Sequence, residues 1–257
     1  REKYVAHVSR MLQYLGDSEE EANAQALQIL AFETRLAEPK LDKVDRRDDR
    51  KTYNPRSIAQ LQEIVPAINW DSYFKGIGVK SIDTVIVREP KYMAAVQKIL
   101  EENNVSDWKA YLRWSAFNSA AGSLSSELEK ANWDFYSKDL RGAKAQRPRE
   151  ERALQTLNWT VGEALGKLYV DQKFPPKAKE KAEKMIQNVI LAFENRISAL
   201  PWMSEDTKIK AIEKLRATNV KIAYPDKWKD YSKMEINGVE AGGTYLQNML
   251  NASAHNF

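Results

Sequence analysis

Apolar residues recur three and four positions apart along most of the 257-residue chain, and this spacing constrains the fold more than any other feature. It places the apolar side chains along one face of an α-helix. The run from Ala178 to Ile197 shows it most clearly. Gly and Pro number only 10 and 9, which argues against a loop-rich or all-β protein. We therefore predict a mainly α fold built from many helices.

Local signals predict where several helices begin and end. Tyr4–Leu15 carries one apolar stripe, and Gly16 ends that helix. Ser18 followed by Glu21 has the spacing of a capping box for the next helix. The apolar face of that helix carries one carboxylate, Glu33, which is unusual. Further helices are predicted at 57–65, at a single turn from 69 to 71, at 90–103, from Ser106, at 154–169, at 178–197, after Ser204, and at 244–252.

Two stretches predict extended structure. Thr84–Val87 is a β-branched run between polar residues, which is typical of one short strand. Asn237 and Gly238 favour a hairpin turn after the short run Lys233–Ile236. The predicted fold class is thus mainly α, a multi-helix domain with one or two short β-strands or hairpins.

Between Glu38 and Pro55 the helical spacing stops, and Asp45–Arg50 is a run of mixed charges. One interpretation is a solvated loop. The other is an ion-paired loop that docks against a partner surface. A calcium loop is excluded, because the Asp-x-Asp-x-Asp-Gly spacing is absent.

Aromatic residues are concentrated between Trp108 and Phe117, where they predict a packed core or the wall of a ligand site. Stacking on single-stranded nucleic acid needs interleaved basic residues, and only Lys109 and Arg113 are present. Further along, Gly162 and Gly166 lie four positions apart on one helix face. We expect them to let another backbone come close, with a hinge as the alternative.

Composition excludes several kinds of site. The chain has no cysteine and only two histidines, His7 and His255, at opposite ends. The His-Glu-x-x-His motif of a zinc hydrolase is absent, and each histidine is expected at the surface or in helix packing. Gly76–Ser81 lacks phosphate-loop spacing, and Gly122–Ser123 lacks the context of a nucleophile elbow. The formal net charge of +4 is too small to indicate nucleic-acid binding.

No apolar run approaches the ~20 residues of a membrane span, and no signal peptide is recognisable. The chain begins with Arg1 rather than Met. We expect it to be a processed or trimmed segment of a longer protein.

Five blocks of the sequence resemble the neprilysin-like zinc metallopeptidases, in the same order along the chain. Leu200–Leu215 is similar to the family's Trp-Met-x-x-x-Thr-Lys-x-x-Ala-x-x-Lys-Leu block. Val161–Val170 resembles its Gly-x-Leu-Tyr-Val segment, and Ile222–Trp228 resembles its Ile-x-Tyr-Pro-Asp turn. Weaker similarity covers Arg46–Pro55 and Val85–Tyr92.

The resemblance implies that residues 1–257 form the helical cap of such an enzyme, with the approach to a thermolysin-like catalytic domain from about residue 219. Cap and catalytic domain would enclose a cavity that admits short peptides and excludes folded proteins. The zinc ligands and the Asn-Ala-Tyr/Phe segment belong to later parts of the family sequence. The full-length enzyme would hold zinc, whereas this chain would have no catalytic, cofactor-binding or metal residue and would be inactive alone.

Animal members of that family carry disulfides, so the absence of cysteine implies a bacterial member, exported to the periplasm or cell surface. Its expected partners are peptide substrates and the catalytic domain of the same protein, without nucleic acid or a membrane span. The isolated cap should expose a broad apolar surface where the catalytic domain docks. The alternatives are a free-standing, non-catalytic module that binds peptides or proteins, and a basic helical nucleic-acid binder.

Overall fold

A computed structural model describes residues 1–256 and contains two compact units. The first covers Arg1–Gln146 and the second begins at Arg147. Both are mainly helical, which confirms the predicted mainly α class. That the whole chain acts as one cap domain stays a prediction.

The first unit contains eight α-helices and a two-stranded sheet within the described residues. The helices are α1 Glu2–Tyr14, α2 Glu19–Ala37, α3 Asp49–Thr52, α4 Ile58–Ile64, α5 Trp70–Gly76, α6 Pro90–Glu102, α7 Val105–Ala120 and α8 Ser126–Trp133; the strands are β1 Pro55–Ser57 and β2 Thr84–Ile86. Short 3-10 helices lie at Asp45–Arg47 and Ala121–Ser123, and a π-helix at Asp134–Asp139.

The second unit contains four α-helices within the described residues. They are α9 Arg149–Lys173, α10 Pro176–Ser198, α11 Glu205–Arg216 and α12 Tyr245–Asn256, with a 3-10 helix at Val239–Ala241 before the last. Phe174 and Pro175 separate α9 from α10, which begins at Pro176, so the chain breaks where the sequence predicts.

Two buried clusters form the core of the first unit. In the larger, the stripe of α1 meets α2, α7 and α8 around Trp114; its buried members are Val8, Met11, Leu12, Ala22, Ala26, Ile29, Trp114, Ala121 and Ala131. The smaller is built from Leu61, Val65, Trp70 and Val87. The aromatic run on α7 thus contributes Trp114 to a packed core, one of the two roles predicted for it.

The predicted strand at 84–87 is present as β2, which ends one residue earlier. Its antiparallel partner β1 pairs Pro55 with Ile86 and Ser57 with Thr84. The sequence did not predict β1, because a three-residue strand that contains proline has no alternating pattern to recognise.

Helix caps largely follow the sequence. The reciprocal capping box of Ser18 and Glu21 begins α2, as predicted, and Ser57 with Gln60 begins α4 in the same way. The predicted start of α7 at Ser106 is wrong, because Asn104 forms the capping box with Asp107 and the helix begins at Val105. The single turn predicted after Asn69 is a seven-residue helix, α5.

The carboxylate on the apolar face of α2 has a partner within the core. The hydroxyl of Tyr4 donates to Glu33 at 2.6 Å and accepts from the indole nitrogen of buried Trp114 at 3.0 Å. Burial and the Glu33 charge raise the pKa of the Tyr4 hydroxyl far above its ordinary value. Three helices, α1, α2 and α7, are therefore joined by one polar chain.

The charged run Asp45–Arg50 is partly helical and makes ion pairs inside its own unit. Arg46 pairs with Glu89 at 3.0 Å, and Lys51 pairs with Asp45. The Glu89 carboxylate also accepts the Leu41 N–H, and these contacts hold its pKa below the ordinary value against the effect of burial. The predicted ion pairing is present, whereas docking against a partner stays a prediction.

The hairpin predicted at Asn237 and Gly238 is wrong. No strand flanks these residues, which lead into the 3-10 helix Val239–Ala241. The Asn248 side chain of α12 accepts the Asn237 N–H at 3.0 Å and donates to the Asn237 carbonyl at 2.9 Å. One amide side chain thus takes the place of the opposing strand.

Candidate interaction surface

The second unit has almost no buried core. Helices α9, α10 and α11 contain no buried residue, and Ala252 of α12 is the one buried apolar residue among those described from 147 onward. A unit of about 110 residues normally buries well over half of the surface that its unfolded chain exposes. The apolar side chains of this unit therefore need another protein surface to bury them.

Three of the four large exposed apolar residues of α10 lie on a line, and Leu191 is the fourth. Met185, Val189 and Phe193 are spaced four positions apart, so they share one face, and they are 59%, 44% and 55% exposed. We call these three residues the apolar stripe. Ile186 and Ile190, next to them, are half-buried. The amphipathic pattern predicted for α10 is present, but only part of its apolar face is covered.

Other large apolar residues of the second unit are also exposed. Trp159 of α9 is 85% exposed, and Ile209 of α11, which the sequence placed inward, is 64% exposed. The inward position predicted for Ile209 is therefore wrong, whereas Ile212 and Leu215 are half-buried. Patches of this kind mark interaction sites in folded proteins.

Helix α9 has a kink at Val161, whose φ of −129° and ψ of 37° lie outside the helical range. The kink frees main-chain groups, and side chains from later in the chain bind them. The Tyr231 hydroxyl accepts the Glu163 N–H at 3.3 Å, and Asn256 donates to the Thr160 carbonyl at 3.1 Å. The Glu163 carboxylate accepts the Lys229 N–H at 2.7 Å.

An aromatic cluster lies against the second half of α9. The rings of Tyr224 and Trp228 are stacked 6.0 Å apart, and Phe174 meets Tyr224 edge-on. They border a cavity of about 350 Å³, which Gly166 also lines. A Cβ on Gly166 would lie 3.7 Å from the Trp228 ring. Among the described residues the predicted close approach of a backbone is therefore wrong, because an indole side chain lies beside Gly166 and a Cβ on Gly162 would have no atom within 4 Å.

One ion pair holds the turn that carries Tyr224. Lys179 donates to the Asp226 carboxylate at 2.6 Å and to the Tyr224 carbonyl at 3.2 Å, and its ammonium lies 4.6 Å from the centre of the Tyr224 ring. The hydrogen bond raises the pKa of Lys179 and lowers that of Asp226. The Lys179–Asp226 pair therefore fixes the turn at Tyr224–Asp226, and with it the end of the segment that follows α11, to α10.

That preceding segment has unpaired main-chain groups. From Asn219 to Trp228, no backbone N–H donates to any other group of the described residues. Ala223 has a φ of 60°, in the left-handed region that residues with a Cβ rarely adopt. An open groove of about 710 Å³ separates the segment from Ile186 and Gln187 of α10.

No metal site is present among residues 1–256, since no three His, Asp or Glu side chains come close enough to hold an ion. His7 is buried in the first unit, where its ring stacks on Phe135 at 4.6 Å. His255 lies in the second unit, with Nε2 3.2 Å from the Asp230 carbonyl. Within the same residues, no helix combines the length and apolarity needed to cross a bilayer.

Comparison with known families decides what this helical chain is. A family model described as peptidase family M13 matches residues 1–225. The chain belongs to peptidase family M13. It corresponds to the N-terminal domain of these neprilysin-like peptidases, which confirms the resemblance found in the sequence.

Curated relatives from the M13 family are about three times longer than this chain. The neutral endopeptidase of Lactobacillus helveticus is 30% identical over 228 residues, which cover 88% of this chain and 35% of that protein. Neprilysin-3 of Drosophila melanogaster is 27% identical over 269 residues, which cover 99% of this chain and 34% of that protein.

Two solved structures have the same fold. The zinc metalloprotease Zmp1 of Mycobacterium tuberculosis, in its open state, matches with a TM-score of 0.82 and 32% identity, over 98% of this chain and 40% of that one. PepO of Lactobacillus rhamnosis matches with a TM-score of 0.87 and 22% identity, over the same shares, and supports the fold alone. M13 peptidases depend on zinc, and the described residues of this chain provide no place for it.

Sequence reasoning missed the cluster around the α9 kink. Glu163, Tyr231 and Asn256 are far apart along the chain, and none belongs to a pattern with a recognisable chemical role. Only the fold brings them together.

Proposed function

We propose that this chain is the non-catalytic helical cap of a zinc metalloendopeptidase that cleaves short peptides. In this proposal the apolar stripe of α10 docks against the zinc-bearing catalytic domain of the same protein. The observation that carries it is the coreless second unit: helices α9 to α11 have no buried residue, in a chain that belongs to a peptidase family whose members are longer.

The free energy of burying the apolar stripe supports a permanent contact with the catalytic domain. Full burial of one Val, Met or Phe side chain contributes about 1.5–3 kcal/mol, and the three residues of the apolar stripe each leave about half of their surface to be covered. A surface of this kind is costly to leave in water. A transient ligand would leave it exposed for much of the time, whereas a domain of the same polypeptide would cover it continuously.

The docking step is tested by mixing the chain with its separately produced catalytic domain. Val189→Glu places a charge in the centre of the apolar stripe, and we expect binding at least about tenfold weaker by titration calorimetry, because the buried charge would have no partner. Leu27→Glu is the matched control, since Leu27 is also exposed but lies in the first unit. Equal weakening by both variants, or no binding of the unmodified chain, would refute the docking face.

The cap role is tested with substrates of different size. We expect zinc-dependent cleavage of a quenched fluorescent peptide only when the catalytic domain is present. Adding the cap should abolish cleavage of a folded protein while cleavage of the peptide continues. If folded substrates are cut equally well with and without the cap, it does not restrict substrate size.

The cellular location is part of the same proposal. A cysteine-free peptidase of bacterial type is compatible with export to the periplasm or cell surface. Fractionation of cells that express the tagged gene product tests this, and recovery in the cytoplasm alone would refute it.

A further inference from the structure

The unpaired segment after α11 has the features of a β-strand that lacks its neighbour. A backbone N–H group is an obligatory hydrogen-bonding group that pairs with another protein group or with water. Here the donors from Asn219 to Trp228 have no partner within the described residues. Such a row of free main-chain groups is the usual template for addition of a strand.

The residue types and the local geometry support the same assignment. Val220 and Ile222 are β-branched and two positions apart, so they would share one face of a strand, with Lys221 on the other face. Ile222 is half-buried, whereas Val220 and Lys221 are exposed. The left-handed backbone of Ala223 ends any strand at that point, and the Lys179–Asp226 pair fixes the turn that follows.

We infer that Asn219–Ile222 is an edge strand, and that it pairs through main-chain hydrogen bonds with a β-strand of the catalytic domain of the same polypeptide. This inference rests on the proposed function and specifies how the two domains join. Space for a neighbour exists, because the open groove beside the segment separates it from Ile186 and Gln187.

Two observations favour this occupant over a peptide substrate or a second copy of the chain. The match to the N-terminal family model ends at residue 225, so the strand lies where the matched domain ends. The apolar stripe on α10 is in the same unit and also needs a permanent cover. One domain that supplies both an apolar face and a strand satisfies both requirements.

Hydrogen–deuterium exchange tests the pairing directly. In the 257-residue chain, the amides of residues 219–222 should exchange at nearly the rate of an unstructured peptide. In the full-length enzyme, alternate amides of this segment should exchange at least about 100-fold more slowly, because a ladder hydrogen bond must open first. Protection that appears in a dimer of the chain, or on adding substrate peptide alone, would overturn the choice of occupant.

Proline variants give a second test. Val220→Pro and Lys221→Pro each remove one N–H that makes no bond within the chain, so each variant should fold normally by circular dichroism. Neighbouring N–H groups of a strand point to opposite edges. One of the two prolines should therefore weaken binding of the catalytic domain about tenfold, and the other by less than threefold. Val220→Ala and Lys221→Ala, which keep the N–H, are the controls.

The outcomes separate this inference from the proposed function. If the two domains bind and cleave peptide but the 219–222 amides stay unprotected, the edge strand is wrong and the cap function stands. Equal effects of the two prolines, or of proline and alanine, also contradict the strand. If the domains do not bind at all, both the docking proposal and the strand fail.

Discussion

Protonation of His7 should destabilise the first unit at mildly acidic pH. The ring is 2% exposed and is surrounded by Phe135, Trp114 and Tyr136. Neither ring nitrogen has a partner with hydrogen-bond geometry within the described residues, and the Asn118 side chain offsets the effect of burial only in part. Burial, followed by the nearby charge of Arg10, lowers the pKa of His7 from 6.5 to about 4. The folded state therefore holds the ring neutral where the unfolded state binds a proton.

The sign and size of the effect follow from that difference. The stabilising contribution is complete above pH 6.5 and is lost as the pH falls towards 4. The total loss is about 3 kcal/mol, at 1.36 kcal/mol per pKa unit, and about 2 kcal/mol of it falls between pH 7.5 and 5. Carboxylates such as Asp17, whose pKa is held below 3.8 by Arg113, titrate at lower pH. The loss of unfolding free energy between pH 7.5 and 5 therefore comes from His7.

Urea unfolding followed by tryptophan fluorescence measures this loss, since the Trp114 ring is 5.7 Å from His7. The first unit of the unmodified chain should lose about 2 kcal/mol of its unfolding free energy from pH 7.5 to 5. His7→Phe keeps an aromatic ring between Phe135, Trp114 and Tyr136, and this variant should lose much less unfolding free energy over the same pH range. His7→Leu is a smaller replacement if Phe overfills the site. His255→Gln, in the other unit, should keep the loss. Equal pH dependence in the His7 variants and the unmodified chain would refute the reasoning.

Three other predictions concern single contacts. Tyr4→Phe should lower the unfolding free energy of the first unit by about 2 kcal/mol in the same urea titration, because Glu33 and Trp114 each lose a hydrogen-bond partner. Tyr14→Phe is the control at the surface and should change that free energy by less than about 0.5 kcal/mol. Gly243→Ala should disrupt the turn before α12, since its Cβ would overlap the Asn237 carbonyl oxygen, and faster amide exchange at Asn237 would reveal this. Gly166→Ala should instead raise the melting temperature of the second unit, because alanine favours the helix by up to about 1 kcal/mol and meets Trp228 at an ordinary distance.

Sequence was sufficient wherever the decisive contact is local. The capping box of Ser18 and Glu21 involves residues three positions apart, so its pattern can be read without knowing the fold. The break at Pro175 and Pro176 is equally local. The hairpin at Asn237 failed because Asn248, eleven positions away, binds both main-chain groups that a strand would have paired.

The candidate surface shows where periodicity stops being informative. Spacing identified the apolar face of α10 but could not tell which half of it would be covered by the same chain, so Met185 and Ile186 looked alike in the sequence. Glu33 appeared as an exception on an apolar face until the fold brought the Tyr4 hydroxyl to it. In both cases the missing information is a tertiary contact.

The unequal burial of the two units determines how the isolated chain should absorb heat. The first unit, with its two buried clusters, should melt in one cooperative step with an enthalpy of about 100 kcal/mol, in proportion to its length. The second unit has little apolar surface to expose on melting, so its transition should be broad, with a small enthalpy and a small heat-capacity change. A single melting temperature therefore does not describe this chain, and its apparent thermal stability depends on which unit the probe reports.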